Sequence, residues 1–163
     1  MYADFNYYQT EYGGKVIKSA DDFTHFERKA ERRIDAITGT KLQFAFPKKK
    51  KDKQTVKDCV CELTEFLYQL DAYQRAAADS AGVVEQADGT VRGKVVTSIT
   101  SGSESISYSA KSSADTSLME AAKDKKVANA MINSMVRDGL SGVPDANGVN
   151  LLYAGIPYPG RRE

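Results

Sequence analysis

Apolar positions along this chain fall into three helical stripes, one alternating stretch and an apolar end with no period. Phe23, Phe26, Ala30, Ile34 and Ile37 follow at spacings of 3, 4, 4 and 3, which is one face of a helix. Ser19 with Asp22 three residues on makes a capping box, and Gly39 supplies a stop. A second helix is predicted over about Thr55 to Asp79. Its broad face carries Val56, Cys59, Val60, Leu63, Phe66, Leu67, Leu70 and Tyr73. A third is predicted from about Thr116 to Asp138, closed by Gly139, with Leu118, Ala121, Ala122, Ala128, Ile132, Met135 and Val136 on its apolar side. On that wheel Lys125 falls in the middle of the apolar face, so it must snorkel, pair or mark an incomplete core edge.

Between the second and third helices, residues 83–113 change character to Ser, Thr, Val and Gly. Val91, Val95, Thr97 and Ile99 share one parity, as do Ile106 and Tyr108, and Ser101-Gly102-Ser103 separates the two runs. The pattern reads as an extended β-hairpin or flap over about 91–109. An isolated hairpin is marginal in water, so a neighbouring copy would complete it; a serine-rich linker is the competing reading. Two further segments flank the first helix. Tyr2, Phe5, Tyr7, Tyr8 and Tyr12 lead into the Gly13-Gly14 turn and are placed as a clamp on the body. Residues 40–54, TKLQFAFPKKKKDKQ, read as a loop in which Leu42, Phe44 and Phe46 alternate inward.

The fold class is therefore mainly α: a small bundle of three main helices with an extended β-hairpin or flap and a C-terminal arm. The predicted core centres on Phe23, Phe26, Ile34, Ile37, Val60, Leu63, Leu67, Ile132 and Val136. Residues 1–140 form one helical domain, with the flap at about 83–113, and residues 141–163 an extended arm. The arm has no period and three prolines, yet it carries Leu151, Leu152, Tyr153, Ile156 and Tyr158. Such residues contribute nothing in a solvated tail. They pack either on their own domain or on another protein.

Charge refines this picture at two places. Glu27, Glu31 and Asp35 line one flank of the first helix, and Arg28, Lys29, Arg32 and Arg33 the other. The split is either a solvated mixed face or a pair of complementary edges for assembly. Lys48 to Lys51 with Lys53 form a basic knot that is either solvated or in contact with phosphates or an acidic partner. The whole chain of 163 residues has a net charge of +1, which argues against strong binding to nucleic acid or an anionic membrane. No apolar run approaches a membrane span, and the first residues have no apolar h-region of a signal peptide.

Candidate chemistry is sparse. His25 is the single histidine, and the wheel puts it on the polar side of the first helix. Cys59 and Cys61 sit two apart on a helix, so they point about 200° apart and cannot share a metal or bridge. Cys59 is placed on the apolar face and Cys61 on the opposite one, both as structural thiols of a reducing compartment. DGTVRGKV has the wrong spacing for a phosphate loop. No nucleophile elbow, zinc-protease or calcium motif is present. The expectation is a protein that is not an enzyme and needs no cofactor.

Five segments in order, DFNYYQTEYGG, ERKAERRIDAITG, VKDCVCELTEFLYQ, SGSESISYS and LLYAGI, resemble the head–tail connector, or adaptor, proteins of long-tailed bacteriophages. The lysine knot, the Ser141–Gly148 insertion and the terminal PYPGRRE depart from that pattern. The resemblance implies a mainly helical virion subunit, assembled in the host cytoplasm, that forms a dodecameric ring in the neck. Such a ring sits beneath the portal, extends the DNA channel and receives a downstream stopper or neck protein, with genomic DNA passing through without sequence specificity. It implies no membrane partner. Within that expectation Leu151, Leu152, Tyr153, Ile156, Tyr158, Arg161 and Arg162 dock on the portal. Glu27, Arg28, Glu31, Arg32, Val95, Ile99, Ile106 and Tyr108 join subunits. Lys48, Lys49, Lys50 and Lys51 are the candidate DNA or acidic-partner contact. The alternatives are a DNA-binding accessory module, or a different neck protein such as a stopper or tail terminator.

Overall fold

The computed structural model describes the backbone of residues 1–80, 83–85, 91–93, 98–101, 104–107 and 113–153, and the side chains of 1–76 and 117–153. The chain is mainly α-helical. In order it forms α1 (Phe5–Thr10), α2 (Ala20–Thr38), α3 (Lys41–Phe44), α4 (Lys50–Ser80), β1 (Val83–Glu85), β2 (Val91–Gly93), β3 (Ser98–Ser101), β4 (Glu104–Ser107), α5 (Ser113–Lys123) and α6 (Lys125–Gly139). It divides into two compact units, one made of Met1–Glu65 with Ile132–Glu163, the other of Phe66–Met131. Among the described residues no helix is long and apolar enough to cross a membrane.

Local signals place α2 as the sequence reads. The Ser19 hydroxyl accepts from the Asp22 amide at 3.3 Å, and Gly39 ends the helix at φ 63°. Thr40 follows at φ 61°, so two successive left-handed residues turn the chain into α3. Both amides donate to the Asp35 carbonyl, which satisfies the free end of the helix.

The first unit buries Phe23, Phe26, Ala30 and Ile34 of α2, Val56, Cys59, Val60, Cys61 and Leu63 of α4, and Ile132 and Val136 of α6. Ile37 is only half-buried. Three additions to the predicted core come from outside the stripes. The leader contributes Ala3, Tyr7, Tyr8 and Ile17, the α3 region Leu42 and Ala45, and the chain beyond α6 Leu140, Val143 and Leu151.

Several sequence expectations are corrected. The predicted 40–54 loop is partly helical: it holds α3, and α4 begins at Lys50. The alternation at Leu42, Phe44 and Phe46 fails because α3 is a helix; Leu42 is buried while Phe44 is 74% exposed. Cys61 is buried rather than exposed, because the leader covers the second face of α4. Gly139 is not a left-handed stop. A Cβ there would lie 2.9 Å from Cys59 Sγ, so glycine is needed for close approach of α6 to α4.

After α6 the segment Leu140–Tyr153 is built of turns. Asp145 Oδ1 accepts from the amides of Asn147 (2.8 Å) and Val149 (3.0 Å), and Pro144 bridges to Asn150. The Ala146 amide donates to the Ala45 carbonyl at 3.0 Å, which ties the turn to the chain after α3.

In the second unit, Phe66, Leu70 and Tyr73 of α4 are buried, with Ala121 of α5 and Ala128 of α6. Leu67, placed at the core centre from sequence, is only half-buried. The predicted third helix is two helices. Asp124 interrupts it and caps the second, its carboxylate accepting from the Lys126 amide at 2.7 Å. The break resets the wheel, so Lys125 is exposed and not on an apolar face. β1 pairs antiparallel with β2, and β3 with β4, with Ile99 opposite Ile106.

Candidate functional site

The chain's strongest polar construction lies where the leader meets α2 and α4. Asp4 caps α1 by accepting from the Tyr7 amide at 2.7 Å. The short helix then presents two phenols to α4. Tyr7 donates to Asp58 at 2.7 Å and Tyr8 to Glu65 at 2.6 Å. Asp58, Cys61 and Glu65 are spaced i, i+3, i+7, so they share one face of α4. Tyr8 also accepts from the Val16 and Ile17 amides, each at 3.0 Å, and its ring lies 4.8 Å from that of Phe23. Gly14 is necessary here, since a Cβ would fall 2.0 Å from the Tyr8 ring. Burial and the neighbouring carboxylates push the phenols of Tyr2, Tyr7, Tyr8 and Tyr12 above their ordinary range, so they remain donors.

The first residues lie along the acidic flank of α2. Glu27 Oε1 accepts from the Tyr2 amide at 2.9 Å and the Ala3 amide at 3.4 Å. The Tyr2 hydroxyl donates to Asp35 at 2.7 Å, and Gln43 donates to the other oxygen of that carboxylate at 2.6 Å. Glu31 pairs with the Met1 ammonium at 2.8 Å. The expectation that Glu27 meets a basic residue of another copy is corrected by these contacts, while Glu31 is half-buried beside Met1. Glu27 is fully buried in its own unit, and Glu31 has an intramolecular partner. The physical reason is that a phenol, main-chain amides and the ammonium near the N-terminus pack against the acidic row that a helical wheel leaves open.

The opposite flank of α2 keeps its charge at the surface: Arg28, Arg32 and Arg33 are exposed, and Lys29 lies 4.5 Å over the Phe26 ring. His25 is exposed and meets Phe26 edge-on at 5.0 Å. Lys48 and Lys49 precede α4, and Lys50, Lys51 and Lys53 occupy its first turn, all exposed. Ile99 and Ile106 lie in β3 and β4, while Val95 and Tyr108 fall outside the described residues.

The root of the C-terminal arm is fixed. The Lys41 ammonium donates to the carbonyls of Asn150 (3.2 Å), Leu151 (3.3 Å) and Tyr153. Leu151 is fully buried in its own unit, which corrects its placement as a residue free to dock elsewhere. Leu152 is half-buried and Tyr153 is 55% exposed. Ile156, Tyr158, Arg161 and Arg162 lie outside the described residues. Sequence reasoning did not find Lys41, the partners of Asp35 or the Asp58–Glu65 face. The spacing of acids on the polar side of α4, beside a tyrosine-rich leader, is the signal that could have.

Among the described residues no cluster of three or more His, Cys, Asp or Glu side chains could hold a metal ion. Burial pushes both the Cys59 and Cys61 thiols up to about 12, so neither is a ready nucleophile near neutrality. No protein-family description, curated protein or solved structure matches this chain.

Proposed function

We propose that this chain is a structural subunit of a bacteriophage neck. It forms a ring, a dodecamer, between the portal and a downstream stopper or neck protein, and it extends the DNA channel. The observation that carries the reading is the anchored arm. Leu151 and the Lys41 ammonium fix its root, and the exposed Tyr153 then leads into AGIPYPGRRE. Aromatic and arginine residues are frequent anchors of interfaces, and Pro157 and Pro159 reduce the entropy lost when such an arm is ordered. In this reading Tyr153, Ile156, Tyr158, Arg161 and Arg162 fill the portal site. The exposed Arg28–Arg32–Arg33 flank supplies one side of a head-to-tail contact, which needs two different surfaces on each subunit. The 91–109 flap is completed by the neighbouring copy. The resemblance of the sequence in five ordered segments supports the same assignment.

Deletion of residues 157–163 tests it. The truncated protein folds and forms rings by native mass measurement but no longer cosediments with packaged heads. Normal attachment to heads would remove the arm from the assignment. The second reading, a DNA-binding accessory module, rests on the exposed lysines at the start of α4. Tight, steeply salt-dependent binding of the isolated protein to duplex DNA, together with no affinity for heads, would favour it.

A further inference from the structure

Glu27 is a buried carboxylate that is only partly satisfied. It is fully buried, and only one of its oxygens has partners, the amides of Tyr2 and Ala3. Oε2 is enclosed and makes no hydrogen bond. Withdrawing an ionised carboxylate from water costs free energy unless every lone pair is satisfied. The elements around it do not compensate. From α2, Glu31 adds like charge; from α4, the Cys61 thiol lies within its electrostatic reach; from the leader, the Met1 ammonium and the two amides favour ionisation. Asp35, two turns along α2 from Glu27, is committed to Tyr2 and Gln43. Desolvation is the largest influence, and it holds the carboxyl above its ordinary value of 4.5.

What covers Glu27 is the start of the leader. Tyr2 and Ala3 close it off, and the Tyr2 ring rests 5.6 Å from Phe46. The later leader is secured separately through Tyr7, Tyr8 and Gly14. The first three residues can therefore open while α1 stays in place.

We propose that ionisation of Glu27 loosens Met1–Ala3 from α2, so that the leader is a pH-sensitive strap over an acidic row. The strap is tight while Glu27 holds its proton. Opening hydrates the carboxylate and bares Glu27, Glu31 and Asp35, one row at i, i+4, i+8, to a basic partner. The direction follows from linkage. Below 4.5 both open and closed forms are protonated, and pH has no effect. Between 4.5 and the higher value in the closed form, the open form loses its proton first, so the open-to-closed ratio rises by up to about tenfold per pH unit. Above that window it is constant.

The test is carbon-detected NMR of the full chain across that range, following the Glu27 carboxyl, the Tyr2 ring and, as a reporter of the global fold, the Leu63 methyls. The Glu27 midpoint lies above 4.5, the Tyr2 ring shifts with the same midpoint, and Leu63 does not move. In Glu27→Gln the Tyr2 ring no longer responds in that window. The proposal is overturned if wild-type Glu27 titrates at or below 4.5, if Leu63 moves with Tyr2, or if Tyr2 responds identically in the variant. Should Glu27→Gln not fold, the wild-type titration decides alone. The outcome does not depend on the neck assignment, which the head-binding experiment addresses.

Discussion

The Tyr8 hydroxyl donates to Glu65 at 2.6 Å while accepting from the amides of Val16 and Ile17, so one phenol oxygen joins the leader, the chain entering α2, and α4. Tyr8→Phe keeps the ring against Phe23 and removes all three bonds. The two amides and the carboxylate lose a partner in a part-buried site. The expected loss is about 2–4 kcal/mol, read as a lower urea midpoint at unchanged slope. A midpoint equal to the wild type would mean water replaces the phenol without cost.

Leu63→Ala and Leu67→Ala compare two positions one turn apart on the same face of α4. Leu63 is fully buried and Leu67 half-buried. Truncating Leu63 is expected to cost about 2–5 kcal/mol, and truncating Leu67 distinctly less. Equal losses in thermal melts would contradict the burial pattern.

Gly139→Ala probes the approach of α6 to α4. The new methyl meets Cys59 Sγ at 2.9 Å and Cβ at 3.2 Å. Overpacking of this kind costs about 1–3 kcal/mol. In a Cys59→Ala background the same change is expected to cost less, giving a favourable coupling in a double-mutant cycle. Strict additivity would place the strain elsewhere.

Lys41→Met removes the donor that holds three carbonyls at the root of the arm while keeping an apolar stem. The expected result is at least tenfold faster hydrogen exchange at the Leu151 and Tyr153 amides, with the amides of α2 unchanged. If the Leu151 amide, which bonds the Val143 carbonyl at 2.9 Å, stays protected, burial alone fixes the root.

Alkaline pH should destabilise the fold. The native Cys59 and Cys61 thiols ionise near about 12 against an ordinary value of 9.0. The unfolded chain therefore releases these protons first, and stability falls as pH rises from 9 toward 12. The phenols of Tyr2, Tyr7, Tyr8 and Tyr12, also raised, act in the same direction above 10. Below 9 the thiols contribute no slope. Denaturant midpoints measured from pH 7 to 10.5, with Cys59→Ala as a shallower comparison, check the sign. Iodoacetamide should leave both thiols intact in the native protein at neutral pH.

By itself the sequence determined the long helical stretches and most of their buried faces, but not α1, α3 or the break between α5 and α6. Periodicity is a local property: Phe23 through Ile34, and Val56 through Leu63, repeat at the helical interval whatever surrounds them. Caps are local too, so Ser19 and Gly39 bound α2 where they stand. A wheel requires an unbroken helix, and the Asp124 cap breaks one, so a continuous wheel puts Lys125 on the wrong face. Local pattern also gave no partner for a polar residue. Glu27 and Cys61 look solvent-facing on their own helices, and only packing of the leader buries them. Leu151 likewise belongs to an aperiodic segment, and that segment is held by Lys41 and Ala45, about a hundred residues away in the chain. Such placements are long-range contacts between surfaces that each satisfy their own helix. The tertiary structure decided them, because desolvation and hydrogen bonding at a site depend on everything packed around it and not on the spacing of its neighbours in sequence.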